Sequence, residues 1–478
     1  MSSIWEISTN LPEQKSLTKD IEADVAVIGG GLAGLLTAYK LKKRGINAVV
    51  LEAEKVACGQ TKNTTAKITS QHGLIYKSII DNVSLKDAIQ YARANQDAIK
   101  CYKEIIEENN IDCEFEEKNA YLYASVDEAP LKKELEAAKE CGIEAYLTRD
   151  TGLPFKVLNA LCYPNQAQFN PLKFILGILP ELDVYEHTMV TDIEEDKVIT
   201  KNGMVTAKWI VVATHYPFIN TPGYYFMRMH QERSYAIALE KAADVNGMYI
   251  GIDGQMLSFR NYQNYLILGG GGHRAGENSA GGQYDLLKNE AIKYYPDSKV
   301  MTQWSAQDCM TLDSIPYIGR YSDQTPNMLV ATGFKKWGMT TSMVSANILS
   351  DMITEKENKY AEVFSPDRFN FSASAKSLMD EGLHATKGLA KSIFSIPDTI
   401  AADLPNSHGG VVKYEGEKVG VYKDENGKIF IIEPKCSHLG CLLSWNPDEK
   451  SWDCPCHGSR FDYKGNLIDN PAMKDLNG

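Results

Sequence analysis

The stretch ADVAVI at 23–28 is a short apolar run that leads straight into a glycine turn, with Gly29, Gly31 and Gly34 in GxGxxG spacing. The run reads as a buried parallel strand, and a helical pattern continues from the turn to Arg44 and Gly45. NAVVLE at 47–52 follows as a second strand, completing a βαβ unit. Within it the first glycine permits a tight turn, the second lets backbone approach a pyrophosphate, and the third packs helix against strand. Glu52 ends the second strand 18 residues after Gly34, where a carboxylate accepts ribose hydroxyls and disfavours a 2′-phosphate. A glycine turn alone is a weak signal; strand, helix and acid in this order make it a dinucleotide site, for FAD or NAD.

A second glycine-rich stretch, LGGGGHRAG at 268–276, offers Gly270, Gly272 and Ala275 as a GxGxxA match. ENSAGG follows where a helix should begin, so the stretch reads as a turn at a sheet edge and not as a nicotinamide site.

Near the other end stand CSHLGC at 436–441 and CPCHGS at 454–459. Cys436 with His438, and Cys454 with His457, supply two thiolates and two imidazoles, the set that holds the two irons of a Rieske [2Fe-2S] centre. Zinc is the competing occupant, because two Cys and two His also fill a tetrahedral site. The interleaved order, the extra pair Cys441 and Cys456, and the short-strand texture of KVGVY, DENGK and IFIIE favour iron and sulfur.

Between these ends, 85–108 and 129–141 read as helices, 182–200 and 205–213 as strands, and 233–269 as an antiparallel sheet. The stretch 334–353 turns from loop into helix with Thr340 or Thr341 as cap, and 373–394 has the spacing of an amphipathic helix that packs on the protein in preference to a membrane. A length of 478 residues suits several domains, and a net charge of −12 without a basic stripe argues against nucleic acid. Without a signal-like N-terminus or an apolar run of about 18 residues, a cytoplasmic protein with no transmembrane segment is expected.

The dinucleotide end resembles the FAD-dependent D-amino acid oxidase and glycine oxidase family. KWIVVATHYP (208–217), TLDSIPYIG (311–319) and NMLVATGFKKWGMTTS (327–342) extend the likeness. The resemblance implies FAD, with Val190 near the adenine, Ala213 and Thr214 along the dinucleotide, and Gly333, Trp337, Gly338 and Met339 beside the isoalloxazine. A helix starting near Thr340 would aim its positive end at the flavin. The loop at 58–73 stands where the family has a flavin loop, which implicates Thr64, Thr65 and Lys67 although the usual GxS form is missing.

The C-terminal pattern is similar to Rieske domains, which implies a Cys441–Cys456 disulfide and a Ser459 hydroxyl bonded to a bridging sulfide. Phe461 replaces a tyrosine of high-potential members, which implies a lower potential. Asn470, Pro471 and Ala472 resemble the proline loop over the cluster, and the family usually adds a strand beyond Gly478.

The expected architecture is α/β, a Rossmann-like FAD-binding domain with an antiparallel-sheet substrate domain, plus a small all-β Rieske domain. The oxidoreductase spans 1–365 (FAD-binding 22–80, 155–220 and 305–360; substrate domain 81–154 and 221–304), a linker 366–403, and the Rieske domain 404–478. The expected activity is oxidation of a small amine or amino acid, with electrons passing through the cluster to an external acceptor or carrier protein. The alternative is an electron-transfer or redox-sensing protein without an organic substrate. A Rieske oxygenase would need two His and a carboxylate on one iron, and Glu381 and His384 lack a second histidine nearby. Catalytic residues stay unassigned among His72, His215, Tyr262, His273 and Arg274, with Arg260 or Arg274 open to a substrate carboxylate.

Overall fold

The computed structural model describes residues 2–368, 404–414 and 417–476, so the linker and the helix expected at 373–394 lie outside the described residues. Val25, Ala26, Val27 and Ile28 are all buried, as a strand covered on both faces requires. Their strand Ile21–Ile28 lies between Ala48–Leu51 and Gly203–Val212 in parallel register, with Val27 opposite both Val50 and Val211. Met328–Thr332 extends this eight-stranded sheet on one side and Asp183–Tyr185 on the other. Helices Leu32–Lys43 and Gly338–Ile353 pack together against it.

A nine-stranded sheet forms the second layer, running from Lys299–Thr311 through Met229–Glu240, Tyr265–Arg274 and Ser258–Tyr262 to Glu116–Ala124 and Asn159–Gln168. Lys67–Ile68 and Asn159–Gln168, expected with the dinucleotide part, pair with each other in this second sheet. The 268–276 stretch is likewise not an edge turn. It lies largely in the strand Tyr265–Arg274, between two partners, where residues without side chains bring backbone to a cavity. The helix expected to be capped by Thr340 or Thr341 starts one turn earlier, at Gly338, with Trp337 at its N-cap. Left-handed backbone at Lys335 (φ 52°) and Lys336 (φ 70°) turns the chain just before it, which leaves Thr340 free to donate to the Thr69 carbonyl at 3.0 Å.

The C-terminal domain has a three-stranded sheet and a four-stranded one, Ser444–Asn446, Ser451–Asp453, Arg460–Asp462 and Leu467–Asp469, around Tyr422, Trp445, Trp452 and Phe461. It docks on the second layer through buried charges. Arg233, 1% exposed, donates to Glu449 at 2.8 Å, and Arg460 reaches the same carboxylate at 3.2 Å. Ser305 (2.7 Å) and Tyr284 (2.9 Å) also donate to Glu449, while Arg460 holds Asp453 and Asp469. Burial alone would raise the Glu449 carboxyl, but Arg233 and Arg460 keep it below its ordinary value. Asn278 and the backbone of Gly282 and Gln283 bind Asp448 beside it.

Removing Glu449 leaves the buried Arg233 charged and without an ion-pair partner, while Arg460 keeps Asp453 and Asp469. Glu449→Ala is expected to destabilise the docked state by about 3–5 kcal/mol, read as a separate early unfolding step of the C-terminal domain in chemical denaturation.

Candidate functional site

Gly34 packs so closely on the glycine turn that a Cβ there would come within 2.0 Å of the Gly29 carbonyl oxygen. That contact sets the helix start beside a cavity of about 600 Å³ whose wall includes Gly29, Gly31 and Glu52. Glu52 is fixed by the amides of Gly30 (2.7 Å) and Glu54 (2.9 Å), with burial raising its carboxyl. Thr64, Thr65 and Lys67 form another part of the wall, and Val190, Ala213 and Thr214 a third. Among the described residues Lys67 is bonded only to the hydroxyls of Thr65 (2.9 Å) and Ser258 (2.7 Å), and burial lowers its pKa to about 7. Trp337, Gly338 and Met339 bring a second helix N-terminus into the wall. Gly34, Gly333 and Thr340 do not line the cavity but hold elements that do: a Cβ on Gly333 would meet Thr311 at 2.3 Å. A cavity whose wall brings together a helix N-terminus, an acid and a second helix N-terminus fits FAD.

The C-terminal loops meet at the other site. Each turns on a left-handed glycine four residues after its first cysteine, with Gly440 N donating to Cys436 O and Gly458 N to Cys454 O, both at 2.9 Å. The Cys436 and Cys454 sulfurs are in contact, and the His438 and His457 rings lie 5.0 Å apart. His438 Nδ1 is buried without a hydrogen bond while its Nε2 meets Asn220 Oδ1 at 2.8 Å, so a ligand nitrogen points inward and the other is held by the flavin domain. These four donors fit a [2Fe-2S] centre held by sulfur on one iron and imidazole on the other. Cys441 and Cys456 form a disulfide, and the Cys454 sulfur lies within 4.8 Å of both its sulfurs. Ser459 is in hydrogen-bond contact with Cys436 and accepts from Ala472 N at 3.0 Å.

The two sites share a wall. Gln231 donates to the carbonyls of His457 (2.8 Å) and Asn470 (3.2 Å), and Gln307 to that of Gly458 (2.8 Å). Asn470 in turn donates to the carbonyls of Thr214 (2.9 Å) and Tyr216 (2.7 Å), and with Ile468, Asp469 and Met473 it lines the flavin cavity. These bonds straddle His215, a left-handed residue (φ 66°) that lines the cavity with Nε2 unbonded.

Of the six residues named as catalytic or carboxylate-binding candidates, His215 alone is in the cavity wall. Arg260 is buried on the carbonyls of Thr65 (2.8 Å) and Ala66 (2.7 Å), and Tyr262 is bonded to Asn170. His273 is held by Tyr235, and Arg274 faces Glu232 across the strand pair Met229–Glu240 and Tyr265–Arg274. Asp308 and Lys336 do line the cavity, and sequence alone gave no signal for either.

His72 is structural. Its ring stacks on Trp337, and it is bonded to Tyr91 (2.6 Å), the Thr69 carbonyl (2.7 Å) and Thr340 (3.0 Å). Burial lowers its pKa from 6.5 to about 3, against the raising effect of the Thr69 carbonyl. The unfolded chain therefore takes up a proton below 6.5 that the folded chain refuses, and stability present above 6.5 is lost as pH falls toward 3. Between pH 7 and pH 4 the wild type is expected to lose about 3 kcal/mol more than His72→Gln in denaturant titrations; equal losses would contradict the assignment.

A family model for FAD dependent oxidoreductases matches residues 24–352, and one for Rieske [2Fe-2S] domains matches 396–478. YhfW of Bacillus subtilis, described as a Rieske 2Fe-2S iron-sulfur protein, is 38% identical over 99% of this chain and 96% of its own length. Glycine oxidase from Geobacillus kaustophilus shares the fold with TM-score 0.62 at 17% identity, over 73% of this chain and 99% of that one. L-proline dehydrogenase from P. horikoshii does so with TM-score 0.61 at 19% identity, over 75% and 98%. The chain belongs to the FAD dependent oxidoreductase family and carries a Rieske domain at its C-terminal end, so that its cofactors are FAD and a [2Fe-2S] cluster.

Proposed function

We propose that the protein is a dehydrogenase that oxidises a small amine or amino-acid-like substrate in the flavin cavity and sends the electrons through its own cluster to an external acceptor. The observation that carries this reading is Asn470. It belongs to the loop whose Ala472 is bonded to Ser459 beside the cluster ligands, its side chain is bonded to flavin-domain carbonyls, and it forms part of the cavity wall. No separate docking step is needed between the sites. Bound FAD takes two electrons and releases them singly, and the [2Fe-2S] centre takes one.

The chain's own residues orient and enclose. In this reading the glycine turn and Glu52 hold the adenosine half of FAD, with Val190, Ala213 and Thr214 along it, and Thr64, Thr65 and Lys67 border the ring. The helix beginning at Gly338 places its positive end where negative charge grows on reduction. Ile468 and Met473 add apolar surface to the cavity wall from the Rieske domain. Related folds named for glycine and L-proline support an amino compound as substrate.

Anaerobic addition of a panel of amines and amino acids is expected to bleach the flavin absorption and then to produce the electron paramagnetic resonance signal of the reduced cluster. A flavin that bleaches while the cluster stays oxidised contradicts the relay. A protein that equilibrates with a carrier such as ferredoxin and with no amine is instead an electron-transfer module.

A further inference from the structure

Asp308 is a charged side chain of the cavity wall with no hydrogen-bond or ion-pair partner among the described residues, whereas Glu52 and Lys67, which also lack a counter-ion, are held by amides and hydroxyls and border the cofactor in the reading above. Asp308 lies on the strand Lys299–Thr311 and faces the cavity with Trp304 and Ala306, four and two residues before it, as strand alternation requires. No described residue gives its carboxylate a hydrogen bond or an ion pair; Lys336, Glu232 and Arg233 act on it only at longer range. Those cations are engaged elsewhere. Lys336 Nζ lies 2.9 Å from Glu232, and Arg233 is held by Glu449, Ser305 and Gln307. Asp469, the other acid on this side, is paired with Arg460 at 3.0 Å. Among the described residues no arginine lines the cavity.

An enclosed carboxylate without a partner is costly until a cation meets it. Burial lifts its pKa to about 6, which leaves it mostly ionised at neutral pH. Phe334 and Trp337, on either side of Lys336 in sequence and also in the wall, supply apolar surface for a carbon chain.

We infer that Asp308 anchors the ammonium group of the substrate, and that this substrate is a cationic amine without a carboxylate on the carbon that is oxidised. The inference rests on the function proposed above, namely that an amino compound is oxidised in this cavity. A carboxylate on that carbon would be repelled by Asp308 and would gain Lys336 only by parting it from Glu232. An ammonium donates charge-assisted hydrogen bonds to Asp308 and disturbs neither.

The test uses the FAD- and cluster-loaded protein under argon and matched pairs that differ by one carboxylate: butylamine with norvaline, phenethylamine with phenylalanine, putrescine with ornithine. Binding is read from the shift in flavin absorption and turnover from its bleaching. The amine of a pair is expected to bind at least about tenfold more tightly than its carboxylated partner. Asp308→Asn is expected to lose that advantage while keeping its FAD content, and Asp308→Glu to regain part of it. Tighter or equal binding of the carboxylated partners to the wild type overturns the inference without any variant, as does undiminished amine binding by Asp308→Asn. The cluster signal in the same samples reports the relay separately. Amines that bind and bleach the flavin while the cluster stays silent support Asp308 and sink the relay; a cluster reduced from dithionite-reduced flavin in a protein with no preference for amines does the reverse.

Discussion

The buried Arg233–Glu449–Arg460 network is the interaction on which the rest depends. Two arginines from different layers converge on one carboxylate, with Ser305 and Tyr284 filling its remaining positions. Such a group is held in one geometry because every partial separation strands a charge in a dry interface. Its value is therefore specificity of docking more than net stability. It sets the Rieske domain at one angle on the nine-stranded sheet, and that angle delivers Gln231 and Gln307 to the carbonyls of the cluster loop. The loop from Leu467 to Met473 then closes the flavin cavity from outside.

The two ends of that cavity differ in kind. At the glycine turn the backbone supplies most of the polar contacts, and the close approach of Gly34 to Gly29 leaves little choice of residue. At the far end His215, Lys335 and Lys336 all adopt left-handed backbone, a conformation that non-glycine residues hold only when their surroundings compel it. There Thr332 donates to the His215 carbonyl at 2.6 Å and Asn470 grips the carbonyls on both sides of it.

The sequence was readable where chemistry depends on local spacing. Gly29 to Gly34 and the four iron ligands sit on single turns, so residue order alone fixes which atoms converge. The rest of the cavity wall is assembled from strands and loops far apart in sequence. Asp308 looks like any polar residue on an alternating strand, and nothing local says that Lys336 is already engaged by Glu232. His72, Tyr262 and Arg260 carry reactive side chains, but sequence could not say that packing and hydrogen bonds already engage them. The glycines at 269–272 resembled a turn because their composition is that of a turn; their place between two strand partners is a tertiary fact.

The central claim is that electrons pass between the cofactors within one molecule, across the Asn470 wall. Photoreduction of the flavin by a short light pulse, followed by the rise of cluster reduction at several protein concentrations, tests it most directly. A first-order rise whose rate is the same at every concentration is the expected result. A rate that grows in proportion to concentration would show that electrons travel between molecules, and would contradict the account.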